Sequence, residues 1–211
     1  MPIFSGKELI MIKASIYNFF GKIYIPDDFN FDAPYLLHLS DTPSSIFGSI
    51  DSLIKKIQPK IIVHTGDLVD NLKLELYPSS LEGYKRYLKR LIRMLEGGER
   101  EVYYVMGNHD HLQSVKKYSH KGHIFPVYSE FSYGPYTYGA GHDIADISPK
   151  NADFILYGHN LEKYSDYTST PKYLNGIEKI ALIRLDTGEI ITFDYPHGTK
   201  ESRLILYRKG L

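Results

Sequence analysis

At 211 residues the chain can bury one sizeable core, and it is read as a single domain spanning 1–211. Its 25 Lys plus Arg are matched by 25 Asp plus Glu, so there is no basic excess to track a phosphate backbone, and a general nucleic-acid binder is disfavoured. Zero Cys excludes disulfides, thiolate metal sites and cysteine nucleophiles, leaving His, Asp, Glu and Asn as ligands, while the absence of a signal-like N-terminus or a long apolar run points to a cytoplasmic protein with no membrane span.

Residues 1–34 are read as an N-terminal extension. Its apolar stretch Leu9 to Ile12 and its β-rich piece Lys22 to Ile25 fit either a short hairpin or a helix and strand. The run Tyr35-Leu36-Leu37-His38-Leu39 then predicts a buried strand that delivers Asp41 into a loop closed by Pro43. Ile46, Ile50, Leu53, Ile54 and Ile57 recur at helical spacing up to Gln58-Pro59 and predict one amphipathic helix. Lys60 to His64 is the next strand and runs into Gly66-Asp67-Leu68-Val69-Asp70. A second helix follows Pro78, with Ser79 and Glu82 spaced as a capping box, and carries Leu81, Tyr84, Leu88, Leu91, Ile92 and Leu95 to a stop at Gly97-Gly98. Lys85, Arg86, Lys89, Arg90 and Arg93 on its other face read as solvated surface.

Val102 to Met106 then delivers Gly107-Asn108-His109-Asp110, and the strand-helix alternation predicts a layered α/β fold with parallel neighbours. Beyond Ile124 the pattern changes to short β-runs. Two of them lead to Gly141-His142 and Gly158-His159-Asn160, and the last two, over 180–194, form a hairpin about an Asp-Thr-Gly turn.

Five strand-like runs therefore end in a short loop bearing oxygen or imidazole donors, four of them with Gly immediately ahead. Asp and Asn are ordinary turn residues in any one loop. In open α/β sheets, however, the strand ends that carry such loops gather along one edge, and five of one build can converge there.

The ordered series Asp41, Gly66-Asp67-Leu68-Val69-Asp70, Gly107-Asn108-His109-Asp110, Gly141-His142 and Gly158-His159 resembles the calcineurin-like metallophosphoesterases, over about Leu36 to Phe193. The resemblance implies a β-sandwich of two mixed sheets flanked by helices. It also implies two divalent metals bridged by Asp67, with one ion held by Asp67, Asn108, His142 and His159. The other would take Asp41, Asp67 and two further imidazoles. In this chain those two positions are Pro43 and Leu161, so one metal has lost both imidazoles, with Asn160 left as a weak substitute. The imidazole-rich set suits Mn²⁺, Fe²⁺, Ni²⁺ or Zn²⁺, and the second metal is expected to be weak or absent. His109 is implied as the group that meets the departing oxygen, with Asp70 or Asp110 orienting the site.

Among the remaining histidines, His38 and His64 read as packed strand residues. His111 is the nearest substitute for a missing ligand, although a helix-start surface residue is the simpler reading, and His123 is the only rival to His142 by order. The expected activity is hydrolysis of a phosphomonoester or phosphodiester, on a small phosphorylated substrate, by metal-activated water. The competing expectation is a degenerate member that binds phosphate or a partner without turnover.

Overall fold

The computed structural model describes residues 6–148, 151–160, 162 and 164–204. Residues 1–5 of the expected extension and Leu161 lie outside that range. The N-terminal stretch, left open by its periodicity, is a helix, α1 (Gly6–Phe19). Residues 22–25 join no strand, although Tyr24 and Ile25 are buried. The β-rich composition there serves packing and no ladder.

Four strands follow in parallel, β1 (Tyr35–Leu39), β2 (Ile61–His64), β3 (Glu101–Val105) and β4 (His123–Phe125). A second sheet is built in the order β5 (Tyr128–Tyr133), β6 (Tyr136–Gly141), β7 (Phe154–Tyr157) and β8 (Lys172–Asn175). The hairpin β9 (Ile180–Arg184) and β10 (Ile190–Phe193) then returns to the first sheet, antiparallel beside β1. Both sheets are mixed, and helices cover the outer face of the first.

Alternation along β1 explains the layering, because successive side chains point to opposite faces. Tyr35, Leu37 and Leu39 pack outward against Ile50, Leu53 and Ile57 of α2 (Phe47–Ile57) and Leu88, Leu91 and Leu95 of α3 (Leu81–Leu95). Leu36 faces inward and meets Tyr138, Phe154 and Leu156 of the second sheet. A strand covered on both faces reads as a nearly unbroken apolar run, and all five β1 residues are buried, the one polar side chain, His38, being paired with Thr65 Oγ1.

The two helices end and begin for local reasons. Gln58 takes a left-handed φ of 50° and returns its N–H to Ile54 O at 2.8 Å, closing α2 before Pro59. The Ser79 and Glu82 capping box does not form. Pro78–Ser80 makes a tight turn that runs straight into α3 with no side-chain cap, and Glu82 pairs with Lys85 at 2.6 Å. The pyrrolidine already fixes the first turn, so the cap is dispensable there.

This topology sets the C-terminal ends of β1, β2, β3, β6 and β7 along one edge. A short helix after β3, α4 (Leu112–Tyr118), and a last one, α5 (Thr199–Leu204), complete the described chain.

Candidate metal centre

The first two loops are stitched together by backbone. Asp41 N donates to Gly66 O at 3.0 Å, Thr42 N to Asp67 O at 3.0 Å, and Asp70 N to Thr42 O at 3.2 Å. Asp110 ties the second loop to the third. Its carboxylate accepts from the backbone N–H of Asp67 at 2.8 Å, of Leu68 at 2.9 Å and of Gly107 at 2.9 Å, and from the Tyr84 hydroxyl at 2.9 Å. Asp110 thus holds loops together and has no lone pair left to face a ligand.

Three residues of the site carry a positive φ that L side chains rarely adopt: Asp41 at 48°, Asp67 at 53° and His159 at 66°. Asp and His are among the types best able to take this strain, and its concentration in three loops of one edge marks the place as specialised. Glycine is required where backbone passes close by. A Cβ at Gly107 would overlap the Asp67 carboxylate, and one at Gly158 would overlap Ser40 Oγ and the Asp41 carboxylate.

Ligand atoms of Asp41, Asp67 and His142 lie within 4.8 Å of one another, all three residues buried. His142 Nδ1 is 2.7 Å from Thr65 O, a carbonyl that can only accept, so Nδ1 carries the proton and Nε2 presents a lone pair. Around that lone pair stand Asn108 Oδ1 at 3.1 Å, His159 Nδ1 at 3.1 Å and Asp67 Oδ1 at 3.6 Å. Asn108 is oriented by Glu75, which accepts from its Nδ2 at 2.5 Å and so turns the amide oxygen inward. An imidazole nitrogen, an amide oxygen and a carboxylate oxygen that converge on one point fit a divalent cation.

Asp41 accepts from Ser40 Oγ at 2.5 Å and from His159 N at 3.2 Å. Asp67 accepts from His109 N at 3.0 Å, yet burial, followed by the charges of Asp41, Asp110 and Asp70, holds its carboxyl well above the usual range. Burial and then Asp41 push Asp70 up to about 6, against the opposing Lys73 ammonium. Burial pushes His109 down to about 4, which leaves its ring neutral near pH 7, with Nδ1 3.7 Å from Glu75.

The expected ligands Asp41, Asp67, Asn108, His142 and His159 therefore come together from five loops. Asp70, expected with Asp110 as a candidate to orient the site, lines the cleft and pairs with the Lys73 ammonium. Asn160 does not turn to the site: its Oδ1 accepts from Glu162 N at 2.7 Å and its carbonyl from Asn175 Nδ2 at 2.8 Å. His111 caps α4, with Nδ1 2.8 Å from Ser114 Oγ. His123 lies in β4, stacked 4.8 Å from the ring of Tyr103, far down the other strand. His38 and His64 are buried, paired at 2.9 Å with Thr65 Oγ1 and Thr42 Oγ1.

A cleft of about 270 Å³ opens over the ligands, lined also by Lys73, His109, Lys200 and Arg203. Sequence reasoning missed Lys73, Glu75, Lys200 and Arg203. Lys73 and Glu75 stand just after the Gly-Asp loop, where the loop's length carried a hint. Nothing local flagged Arg203, which is brought in by α5. Its Nε donates to Asp41 O at 2.7 Å and its Nη1 to Ile177 O at 2.7 Å, and its guanidinium lies 4.4 Å over the Tyr195 ring.

No curated protein sequence matches the chain. Among solved structures it is similar to YfcE, a phosphoesterase from E. coli, at 14% identity and a TM-score of 0.50, covering 77% of this chain and 100% of that one. It also matches AQ665, a protein of unknown function from Aquifex aeolicus, at 19% identity and a TM-score of 0.39, covering 68% and 89%. The likeness to YfcE extends to the fold. The model of the calcineurin-like phosphoesterase family matches residues 34–197, the stretch that carries all five ligand loops, and the chain belongs to that family.

Proposed function

We propose that the protein is a metal-dependent phosphoesterase that hydrolyses a small phosphomonoester or phosphodiester. The observation that carries this reading is the set of lone pairs around His142 Nε2, where Asn108 Oδ1 and Asp67 Oδ1 face the imidazole at 3.1 and 3.6 Å. Asp67, Asn108, His142 and His159 would hold the ion, and Asp41 stands beside them. When bound, a divalent ion there supplies Lewis acidity toward phosphoryl oxygens and acidifies water.

The chain's own groups supply the rest. Thr65 O and Glu75 orient His142 and Asn108, so the ligand set is preorganised before an ion arrives. Asp110 fixes the backbone turns from which Asp67 and His109 project. His109 lines the cleft, and in this reading it meets the departing oxygen of the phosphoryl group. The cleft's size, about 270 Å³, sits near the lower end of small-molecule sites, which run from roughly 300 Å³ upward, and suits a phosphoryl group with a small alcohol.

The test is turnover of aryl phosphomonoesters and diesters by protein loaded with Mn²⁺, Ni²⁺, Co²⁺ or Zn²⁺, with bound metal verified by elemental analysis. Activity that requires the ion and is lost in His109→Ala supports the reading. Metal bound with no turnover on any substrate favours a binding module, a reading for which the losses at Pro43 and Leu161 are the specific motive.

A further inference from the structure

The side of the cleft around Asp41 is built with the chain's own cations. Three carboxylates line the cleft, Asp41, Asp67 and Asp70, and so do three cationic side chains, Lys73, Lys200 and Arg203. The carboxylates are all buried, and a buried carboxylate requires a counter-charge nearby. Where the family resemblance puts an imidazole two residues beyond Asp41, Pro43 is buried and starts the turn into α2, with its carbonyl accepting from Ile46 N at 3.1 Å. Pro43 offers no ligand atom of its own.

Two of these cations, Arg203 and Lys73, are held in place, while Lys200 is exposed at the rim. Arg203 is buried, and besides its bonds to Asp41 O and Ile177 O its Nη2 reaches Ser40 O at 3.4 Å. Tyr195, which underlies the guanidinium, donates its hydroxyl to Gly176 O at 2.6 Å and so fixes the platform. Lys73 pairs with the Asp70 carboxylate, and its side chain is only 20% exposed. Arg203 and Lys73 are positioned charges.

We propose that Lys73 and Arg203 perform the electrostatic task of the metal ion for which Pro43 and Leu161 supply no imidazole, and that together with one bound ion they make the cleft a receptor for a phosphomonoester dianion. The proposal rests on the phosphoesterase reading and narrows its substrate class. With a divalent ion bound, the three carboxylates of the lining are ionised and matched by its three cations, so the ion leaves the cleft a surplus of two positive charges. A phosphomonoester carries two negative charges near neutral pH and a diester one, so the balance selects the monoester. Lys73 supplies its ammonium to the phosphoryl oxygens, while Arg203 is a positioning residue that lends its charge through the backbone of Asp41.

Calorimetric titrations with Mn²⁺, with inorganic phosphate and with dimethyl phosphate decide it, on wild type, Lys73→Met, Lys73→Arg and Arg203→Lys. Wild type is expected to hold one tight equivalent of Mn²⁺ and, so loaded, to bind phosphate more tightly than dimethyl phosphate. Lys73→Met should keep the Mn²⁺ equivalent and weaken phosphate by about tenfold, the scale of one charge-assisted hydrogen bond, with Lys73→Arg restoring most of it. Arg203→Lys, which keeps the charge and loses the fork, should remain folded and weaken phosphate less than Lys73→Met. Two tight equivalents of Mn²⁺ in wild type, or phosphate binding unchanged in Lys73→Met, overturns the substitution of side chains for metal and leaves the phosphoesterase reading standing. No Mn²⁺ binding at all removes that reading instead.

Discussion

At the scale of single residues the site is governed by close approach. Gly158 passes so near Ser40 and Asp41 that a methyl group there has nowhere to go. Gly158→Ala is expected to destabilise by about 1–3 kcal/mol, the usual cost of overpacking, and to lose the tight metal equivalent. Gly48, exposed in α2 with nothing within 4 Å of an added Cβ, provides the opposite sign. Gly48→Ala should gain about 0.5–1 kcal/mol, because alanine loses less backbone freedom in a helix. Urea denaturation of both variants checks the pair, and equal effects would refute the close-approach account. The residues that turned out to support the ligands show why they were invisible in the sequence. Glu75 acts on the amide of Asn108 and stands beside His109, both more than thirty positions away, and Arg203 acts on carbonyls of Ser40, Asp41 and Ile177, so neither forms a motif with its sequence neighbours.

At the scale of elements, much of the fold could be read from periodicity. α2 and α3 span the apolar repeats Ile50 to Ile57 and Leu81 to Leu95, since one face of each must meet β1. The ligand loops were equally legible, because each lies directly after a short strand-like run. What periodicity could not decide was α1, whose apolar residues Leu9, Met11, Ile16 and Phe19 are exposed and so follow no single buried face. The capping box failed for a related reason: a spacing match is weaker than the turn that Pro78 imposes. The strands that deliver the ligands carry a further consequence. His38 in β1 and His64 in β2 are buried, and burial pushes both down to about 3 from an ordinary value of 6.5. The unfolded chain therefore takes up more protons than the folded one between these values. Stability from this source is complete above about pH 6.5 and falls as acid is added toward pH 3, by up to about 1.4 kcal/mol per pH unit for each imidazole. Urea midpoints measured across that range should decline with acid, and His38→Gln should make the decline shallower.

At the scale of the whole molecule, function and stability oppose each other. Asp41, Asp67 and Asp70 are buried at one edge, and burial, reinforced by repulsion from the neighbouring carboxylates, raises the Asp67 carboxyl well above its usual range. An ion that binds the folded chain alone relieves that repulsion and stabilises by mass action. Chelation should therefore lower the melting temperature. Asp67→Asn, which keeps an oxygen for His109 N and removes one charge, should raise the melting temperature of the chelated protein while abolishing tight metal uptake. Calorimetric scans with and without chelator test both halves, and a lower melting temperature for chelated Asp67→Asn would contradict the repulsion account. The bond between Arg203 and Asp41 has a meaning in time as well as in space. It joins residues 162 positions apart, and a chain leaving the ribosome N-terminus first makes the aspartate long before the arginine that clamps its carbonyl. The sheets can assemble while synthesis continues, but the Asp41 loop stays unclamped until α5 has emerged. A nascent chain that has not yet made α5 therefore lacks the clamp on the Asp41 carbonyl, and the site waits on residues far downstream of its ligands.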